Sequence, residues 1–238
     1  MNLEEIKEKA LNEHIPIIMD DTLEVIENIM KEIKPTAILE IGTAVGYSAI
    51  CFSKFLEKGG FIDTIERDEE RIKEAKENIK IVEDGKTINI LEGDAVEILP
   101  TINKKYDMVF IDAAKGKYPF FLEQALRLIK DDGIIFADNI LYKGYVMSDY
   151  NKHKQRTAVT HLREYIKLTT DNPRLDTKIL EVGDGLAITK LKKPTYWHNL
   201  LNNSNFYWKP SIANFRSNLL DNSLYFGIVR QKTKQTSK

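Results

Sequence analysis

The sequence of 238 residues predicts a single α/β domain built on a doubly wound, seven-stranded sheet whose last strand is antiparallel. Two observations lead to this fold class. Apolar runs of strand length alternate five times with segments of helical period, and a hairpin signal follows them. The chain is long enough for one sizeable core and too short for two ordinary domains. We therefore expect a mostly parallel sheet with helices on both faces.

The elements follow from apolar runs and from apolar residues spaced three or four apart. The parallel strands are predicted at residues 37–41, 61–66, 87–91, 106–111 and 133–137, and the helices between them at residues 47–58, 68–81, 95–99 and 118–130. Two further helices, 3–12 and 20–33, precede the sheet, and another, 156–168, follows the fifth strand. The turn Gly183-Asp184-Gly185 separates apolar runs at 178–182 and 186–191, a pattern typical of a hairpin.

Composition narrows the class of protein. With 42% hydrophobic and 30% charged residues the chain is typical of soluble globular proteins. No apolar run approaches the roughly 18 residues that span a bilayer, and the N-terminal segment is not expected to be a secretory signal. We therefore expect a cytoplasmic protein without membrane contact. The lone Cys51 cannot form an internal disulfide and is expected to be buried.

The net charge of −1 conceals an uneven distribution. Residues 191–238 contain eight basic residues against one acidic residue, so this stretch carries +7 and the rest of the chain −8. We expect residues 1–192 to form the domain with its N-terminal helices, and residues 193–238 to form a basic, aromatic-rich extension. The sequence predicts no fold for that extension, whose aromatic residues could stack bases or pack onto the domain.

A glycine turn after the first strand marks the first candidate site. The segment ILEIGTAVGYS, residues 38–48, runs from a strand through Gly42 into a helix. Glycine lets the backbone approach a ligand closely, and open α/β sheets bind ligands at the carboxyl ends of their strands. A dinucleotide fingerprint would need glycine at Ala44 and Tyr47, so a pyrophosphate cradle is disfavoured. The alternative is a turn that only packs strand against helix.

Acidic residues end the next two strands. Glu66 follows Gly42 by 24 residues, and its carboxylate can accept hydrogen bonds from both ribose hydroxyls of a nucleoside cofactor. A charge at a helix N-terminus is the alternative role, but Asp68 is placed to fill it as the N-cap. Asp94 is expected to line an adenine pocket or only to cap the following helix.

Three oxygen donors follow the fourth and fifth strands. Asp112 ends one strand, Asp138 and Asn139 end the other, and no histidine or cysteine accompanies them. Such a set of hard ligands favours Mg²⁺. Lys115 is close enough in sequence to reach the same site. Beside a divalent cation its pKa is expected to fall, which would let it act as a general base on an acceptor hydroxyl.

Together these motifs resemble the cation-dependent O-methyltransferases, the family that includes catechol and caffeoyl-CoA O-methyltransferases, over roughly residues 15–191. The segments that carry the resemblance are HIPIIM, ILEIGTAVGYSAI, IERDEERIKEAKENI, FIDAAKGKY, ADNILYKGYV and VGDGLAIT. Within this family the chain resembles in particular the bacterial branch of tRNA 5-hydroxyuridine methyltransferases, which methylate the wobble uridine.

The resemblance implies a Rossmann-like class I methyltransferase fold, S-adenosylmethionine as methyl donor, Mg²⁺ or another hard divalent cation, and a homodimer. It implies Lys115 and Asp112 as catalytic residues and Asp112, Asp138 and Asn139 as metal ligands. The residues implied around S-adenosylmethionine are Glu40, Gly42, Thr43, Gly46, Ser48, Glu66, Asp94, Ala95 and Asp112. The residues implied on the substrate side are Met19, Lys115, Tyr142 and Arg156.

The predicted reaction is methyl transfer from S-adenosylmethionine to an oxygen, with tRNA as the expected partner. The acceptor would be the 5-hydroxyl of a uridine in the anticodon loop, where unpaired bases can be splayed into a pocket. The basic segment 152–156 and the +7 extension could follow phosphates, although such charge runs are also typical of solvated faces. The alternatives are a catechol-type methyltransferase for small molecules, a non-catalytic RNA-binding scaffold and, with less support, a dehydrogenase.

Overall fold

The fold is that of a computed structural model, which describes residues 2–82, 86–148, 155–192 and 228–229. The strands are β1 (Ala37–Ile41), β2 (Phe61–Glu66), β3 (Thr87–Glu92), β4 (Tyr106–Ile111), β5 (Ile129–Ala137), β6 (Leu175–Leu180), β7 (Leu186–Leu191) and β8 (Ile228–Val229). The helices are α1 (Leu3–Asn12), α2 (Asp20–Ile33), α3 (Tyr47–Ser53), α4 (Glu69–Asn78), α5 (Ala95–Ile98), α6 (Tyr118–Leu128) and α7 (Arg156–Thr170).

All strands belong to one sheet of order β3-β2-β1-β4-β5-β7-β6-β8. Strands β1 to β5 are mutually parallel, and β7 runs antiparallel to both β5 and β6. This confirms the predicted doubly wound sheet of seven strands with an antiparallel last strand. The extension adds a two-residue eighth strand, parallel to β6, that the sequence did not predict. The strand order reverses between β1 and β4, which opens a crevice at their carboxyl ends.

Two apolar layers cover the sheet, one on each face. Residues that alternate along β1 point to opposite layers: Leu39 packs with α6 and α7, and Ile38 packs with α1, α2 and α3. Because both faces are covered, the central strands are almost continuously apolar, which is the pattern of a parallel sheet in an α/β protein. Cys51 is buried in α3 as expected, and burial raises the pKa of its thiol to about 12.

Three elements have boundaries that differ by several residues from the prediction, and one of them, strand β6, spans Leu175–Leu180 rather than 178–182. Helix α3 ends at Ser53 rather than at 58, because the next three backbone N–H groups bond to carbonyls three residues back and tighten the chain. Strand β5 begins at Ile129 rather than at 133. Ile129 is buried and pairs with Tyr106 of β4, and a bulge separates this pair from the rest of the β4–β5 ladder. Strand β6 ends at Leu180 because the backbone N–H of Gly185 bonds to Val182 and closes the turn. In the described part of the chain, no helix is both long and apolar enough to cross a bilayer.

Candidate active site

A cleft of about 460 Å³ lies at the carboxyl ends of the parallel strands. Nine residues predicted for the site line it: Gly42, Thr43, Ser48, Glu66, Asp94, Ala95, Asp112, Lys115 and Asn139. Other residues from the same strand ends complete the wall, together with the segment 16–18 in front of α2. The structure therefore brings together residues from five strand ends that are far apart in the sequence.

The glycine turn requires glycine at its first position. Gly42 has a φ of +106°, and a Cβ built on it would overlap the backbone oxygen of Asp112. The backbone N–H groups of Gly42 and Thr43 donate to the carbonyl of Ile65 at 3.1 and 3.2 Å, which ties the turn to β2. Gly46, with a φ of +82°, precedes α3. The turn thus lies directly against the end of β4, as close backbone approach demands.

Glu40 lies behind the cleft wall rather than in it. Its side chain is fully buried and accepts hydrogen bonds from the hydroxyls of Ser48 at 2.6 Å and Thr64 at 2.5 Å. Thr64 is in turn 2.7 Å from the hydroxyl of Thr43. Burial raises the pKa of Glu40 to about 7. Through these contacts Glu40 orients the two cleft hydroxyls of Ser48 and Thr43.

The carboxylate of Glu66 is fixed by backbone amides. It accepts from Ala44 N at 2.9 Å, Arg67 N at 2.9 Å and Asp68 N at 3.1 Å, and it lines the cleft. Asp68 caps α4 by accepting from Arg71 N at 3.0 Å, as predicted. A carboxylate held in this way keeps a fixed orientation and retains lone pairs for hydroxyl donors.

Asp94 caps a helix and also lines the cleft. One oxygen caps α5 by accepting from Val96 N at 2.9 Å, and the other pairs with Arg67 at 3.1 Å. The backbone hydrogen bond from Val96 and the Arg67 guanidinium hold the pKa of Asp94 below its ordinary value. Because Asp94 also lines the cleft, capping and ligand contact do not exclude each other here.

The predicted metal ligands and the predicted base form one cluster. Lys115 Nζ donates to Asp112 Oδ1 at 2.8 Å and to Asn139 Oδ1 at 2.8 Å. Asp138, which is only 1% exposed, accepts from the backbone N–H of Asn139 at 2.6 Å. Asn139 adopts a left-handed φ of +55° as the chain leaves β5. The strand ends β4 and β5 thus present two carboxylates and one amide side by side.

The charges in this cluster suit a divalent cation. Burial and the nearby Asp112 carboxylate raise the pKa of Asp138, and the Lys115 ammonium already lies between two of the three oxygen donors. No group of three His, Cys, Asp or Glu side chains able to hold a metal occurs in the described residues. The present set has two carboxylates and an amide, which together with water are ordinary Mg²⁺ ligands. The residues therefore fit a hard divalent cation.

The protein residues around Lys115 shift its pKa in the direction opposite to the shift expected beside a divalent cation. Burial lowers the pKa of Lys115, but the electrostatic influence and hydrogen bonds of Tyr118 and Asp112 outweigh it, and the pKa lies above its ordinary value. The expected fall concerns a site that also holds a divalent cation. Without that opposing charge the amine remains an ammonium.

Three residues predicted on the substrate side do not line the cleft. Met19 is half exposed at the start of α2, Tyr142 packs its ring against Tyr145 at 5.9 Å, and Arg156 is exposed at the start of α7. The segment 16–18 lines the cleft in their place. Residues 152–154 of the basic segment, and the extension apart from β8, lie outside the described residues.

Sequence reasoning also missed Tyr118, whose hydroxyl accepts from Lys115 Nζ at 3.0 Å and donates to the backbone oxygen of Asp138 at 2.8 Å. The spacing Asp112-x-x-Lys115-x-x-Tyr118 was the available signal, because residues three apart at the start of a helix lie on one face.

Comparison with known proteins agrees with this geometry. Residues 2–192 match the model of a family described as O-methyltransferase. A catechol O-methyltransferase of Niastella koreensis is 34% identical over 164 residues, which cover 65% of this chain and 73% of that protein. A caffeoyl-CoA O-methyltransferase of Populus kitakamiensis is 27% identical over 170 residues, 68% of this chain and 72% of that protein.

The structural neighbours agree as well. A crystal structure of an O-methyltransferase from Bacillus cereus in complex with SAH has a TM-score of 0.71 and 27% identity, covering 80% of this chain and 90% of that one. The fold and the site define a class I methyltransferase. The chain belongs to the O-methyltransferase family, which confirms the resemblance to catechol and caffeoyl-CoA O-methyltransferases and the enzyme class predicted from the motifs.

Proposed function

We propose that this O-methyltransferase transfers a methyl group from S-adenosylmethionine, with the help of a divalent cation, to the 5-hydroxyl of the wobble uridine in tRNA. One observation carries the proposal: Lys115 is hydrogen-bonded inside the oxygen set of Asp112 and Asn139, at the edge of a cleft that the Gly42 turn and Glu66 also line. The proposed base, the proposed cation ligands and the residues proposed to bind the nucleoside are thus adjacent.

The first half of the site suits S-adenosylmethionine. When bound, this molecule supplies an electrophilic methyl group on its sulfonium sulfur. Glu66, fixed by three backbone amides, is available to the ribose hydroxyls, and Asp94 and Ala95 line the end of the cleft expected to receive adenine. The Gly42 turn also lines the cleft and is the part expected to receive the amino-acid end. The SAH complex of the Bacillus cereus relative supports this assignment.

The second half of the site suits the acceptor. Asp112, Asp138 and Asn139 would hold the cation, which when bound lowers the pKa of a neighbouring hydroxyl and disfavours the ammonium form of Lys115. Lys115 Nζ then takes the acceptor proton at the edge of the oxygen set. Holding the base and the acceptor in one orientation supplies much of the rate enhancement.

The tRNA acceptor is supported by the resemblance of the six segments given above, HIPIIM to VGDGLAIT, to the tRNA-modifying branch. A basic side chain at the cleft, Lys117, suits a polyanionic substrate. A small catechol-type diol is the second candidate, favoured by the 34% identity to the Niastella koreensis enzyme. Both acceptors would use the same base and the same oxygen set.

The test incubates the purified protein with methyl-labelled S-adenosylmethionine and either tRNA carrying unmethylated 5-hydroxyuridine or a simple catechol. Each reaction runs with and without EDTA, followed by addition of excess Mg²⁺. We expect label in the tRNA nucleoside that is lost with EDTA and restored by Mg²⁺. Label only in the catechol would replace the tRNA acceptor with the second candidate. Transfer that EDTA leaves unchanged would refute the role of the cation.

A further inference from the structure

A fully buried tyrosine connects the proposed base to the neighbouring strand end. Tyr118 is the first residue of α6 and has no exposed surface. Its hydroxyl lies 3.0 Å from Lys115 Nζ and 2.8 Å from the backbone oxygen of Asp138. It is not among the residues that line the cleft. The hydroxyl also lies 3.4 Å from the backbone oxygen of Ile111 at the end of β4, so any effect of Tyr118 on the reaction must act through Lys115 or through the ends of β4 and β5.

The donors and acceptors around Tyr118 determine the direction of the hydrogen bonds that its hydroxyl makes. A phenol has one proton, and the carbonyl of Asp138 can only accept, so the proton of Tyr118 goes to that carbonyl. Toward Lys115 the hydroxyl then acts as an acceptor. An ammonium and a neutral amine both have N–H groups to donate, so this contact is compatible with either protonation state of Lys115.

The other two partners of Lys115 are Asp112 Oδ1 and Asn139 Oδ1. Both oxygens belong to the set that would hold the cation, and oxygens that ligate a cation have fewer lone pairs left for an amine. Among the described residues, Tyr118 supplies the hydrogen bond to Lys115 that does not draw on that set.

The ring of Tyr118 is held firmly. It packs against Tyr165 edge-on, with ring centroids 5.7 Å apart, and against Phe121 at 6.4 Å. Tyr165 is also fully buried. A ring enclosed in this way cannot move its hydroxyl without disturbing the core, so the hydroxyl is a fixed point for the Lys115 side chain.

We propose that Tyr118 is a positioning residue that holds Lys115 in place for proton transfer while the neighbouring oxygens are occupied by the cation. The proposal rests on the proposed function, in which Lys115 is the base. It adds a residue from the buried core to the acceptor half of the site.

The test compares Tyr118→Phe with two other variants. Tyr118→Phe keeps the ring and removes the hydroxyl, Tyr165→Phe removes a hydroxyl from the neighbouring buried ring, and Lys115→Met removes the base. For each purified protein we would measure kcat and KM for the acceptor, the Kd for S-adenosylmethionine and Tm. Crystal structures of wild type and Tyr118→Phe with Mg²⁺ and SAH would give the position of the Lys115 side chain.

For Tyr118→Phe we expect kcat to fall about 10- to 100-fold, the range for loss of one hydrogen bond to a charged group. We expect KM and Kd within about threefold of wild type and a displaced Lys115 side chain in the crystals. Tyr165→Phe should keep its kcat. An unchanged kcat in Tyr118→Phe, or an equal loss in Tyr165→Phe, would overturn the inference. If Lys115→Met stays active, the assignment of the base fails first, and that failure is distinguishable from the other two.

Discussion

Replacing the buried acid Glu40 with glutamine should change how the stability of the protein depends on pH. Glu40 is fully buried, and its two oxygens contact the hydroxyls of Ser48 and Thr64. Protonated glutamic acid and glutamine can satisfy these partners in the same way, because each has one accepting oxygen and one donating group. Glu40→Gln thus keeps the network and removes only the ionisation.

The magnitude follows from the pKa of Glu40, which burial raises from an ordinary 4.5 to about 7. Between these pH values the folded protein keeps a proton on Glu40 that the unfolded chain has lost. The free energy of unfolding must therefore fall as the pH rises through this range, and the contribution of Glu40 stays constant above it. This difference in pKa corresponds to about 3 kcal/mol, at about 1.4 kcal/mol per pKa unit.

The assay is urea unfolding of wild type and Glu40→Gln at several pH values between 5 and 8.5. We expect the variant to gain stability relative to wild type as the pH rises, by roughly 2 to 3 kcal/mol across the range. Glu92→Gln is the control, because Glu92 ends a strand of the same sheet but is half exposed and paired with Lys76. A stability difference between wild type and Glu40→Gln that does not vary with pH would refute the reasoning.

Three further substitutions test the separate parts of the site. Glu66→Ala should raise the Kd for S-adenosylmethionine at least tenfold by isothermal titration, since the ribose loses a charged partner; an unchanged Kd would contradict this role. Asp138→Ala should abolish turnover and leave the Kd for S-adenosylmethionine within a few fold of wild type. The control Asp131→Ala, at an exposed position near the start of β5, should leave turnover and Kd unchanged. If folded Asp138→Ala also loses cofactor binding, Asp138 is not a metal ligand that serves only the acceptor. Gly42→Ala should lower the free energy of unfolding by more than 2 kcal/mol, and Gly59→Ala by about 1 kcal/mol, because both have positive φ but only Gly42 faces a backbone oxygen.

The sheet could be predicted because its signals are local. Each parallel strand is a short apolar run, and each intervening helix has its own period, so their order along the chain follows directly. The start of β5 could not be predicted in this way. Residues 131 and 132 are exposed aspartates that break the apolar run, and only pairing with β4 across a bulge shows that the strand begins at Ile129. Pairing between distant segments is not a property of any one segment.

In the candidate site, too, some residues could be predicted from local signals and others could not. Glu66, Asp94, Asp112 and Asn139 were predicted because they stand at strand ends, and strand ends of a parallel sheet meet at one edge. The substrate side was harder, because Met19 and Tyr142 come from connections and Arg156 begins the helix that follows one. The sequence does not determine the path of such connections. Glu40 shows a further limit: its position at the end of β1 was evident, but not that its side chain would point behind the cleft into a network of hydroxyls.

The two halves of the site are mechanically joined at Gly42. The turn of the nucleoside half lies so close to the end of β4 that no side chain fits between them, and β4 leads directly into Asp112 and Lys115 of the acceptor half. A methyl group at position 42 must therefore displace either the turn or the strand end. Glu66→Ala and Asp138→Ala should each affect one half, whereas Gly42→Ala should weaken S-adenosylmethionine binding and lower kcat together. Loss of only one of these in Gly42→Ala would show that the backbone contact does not couple the halves.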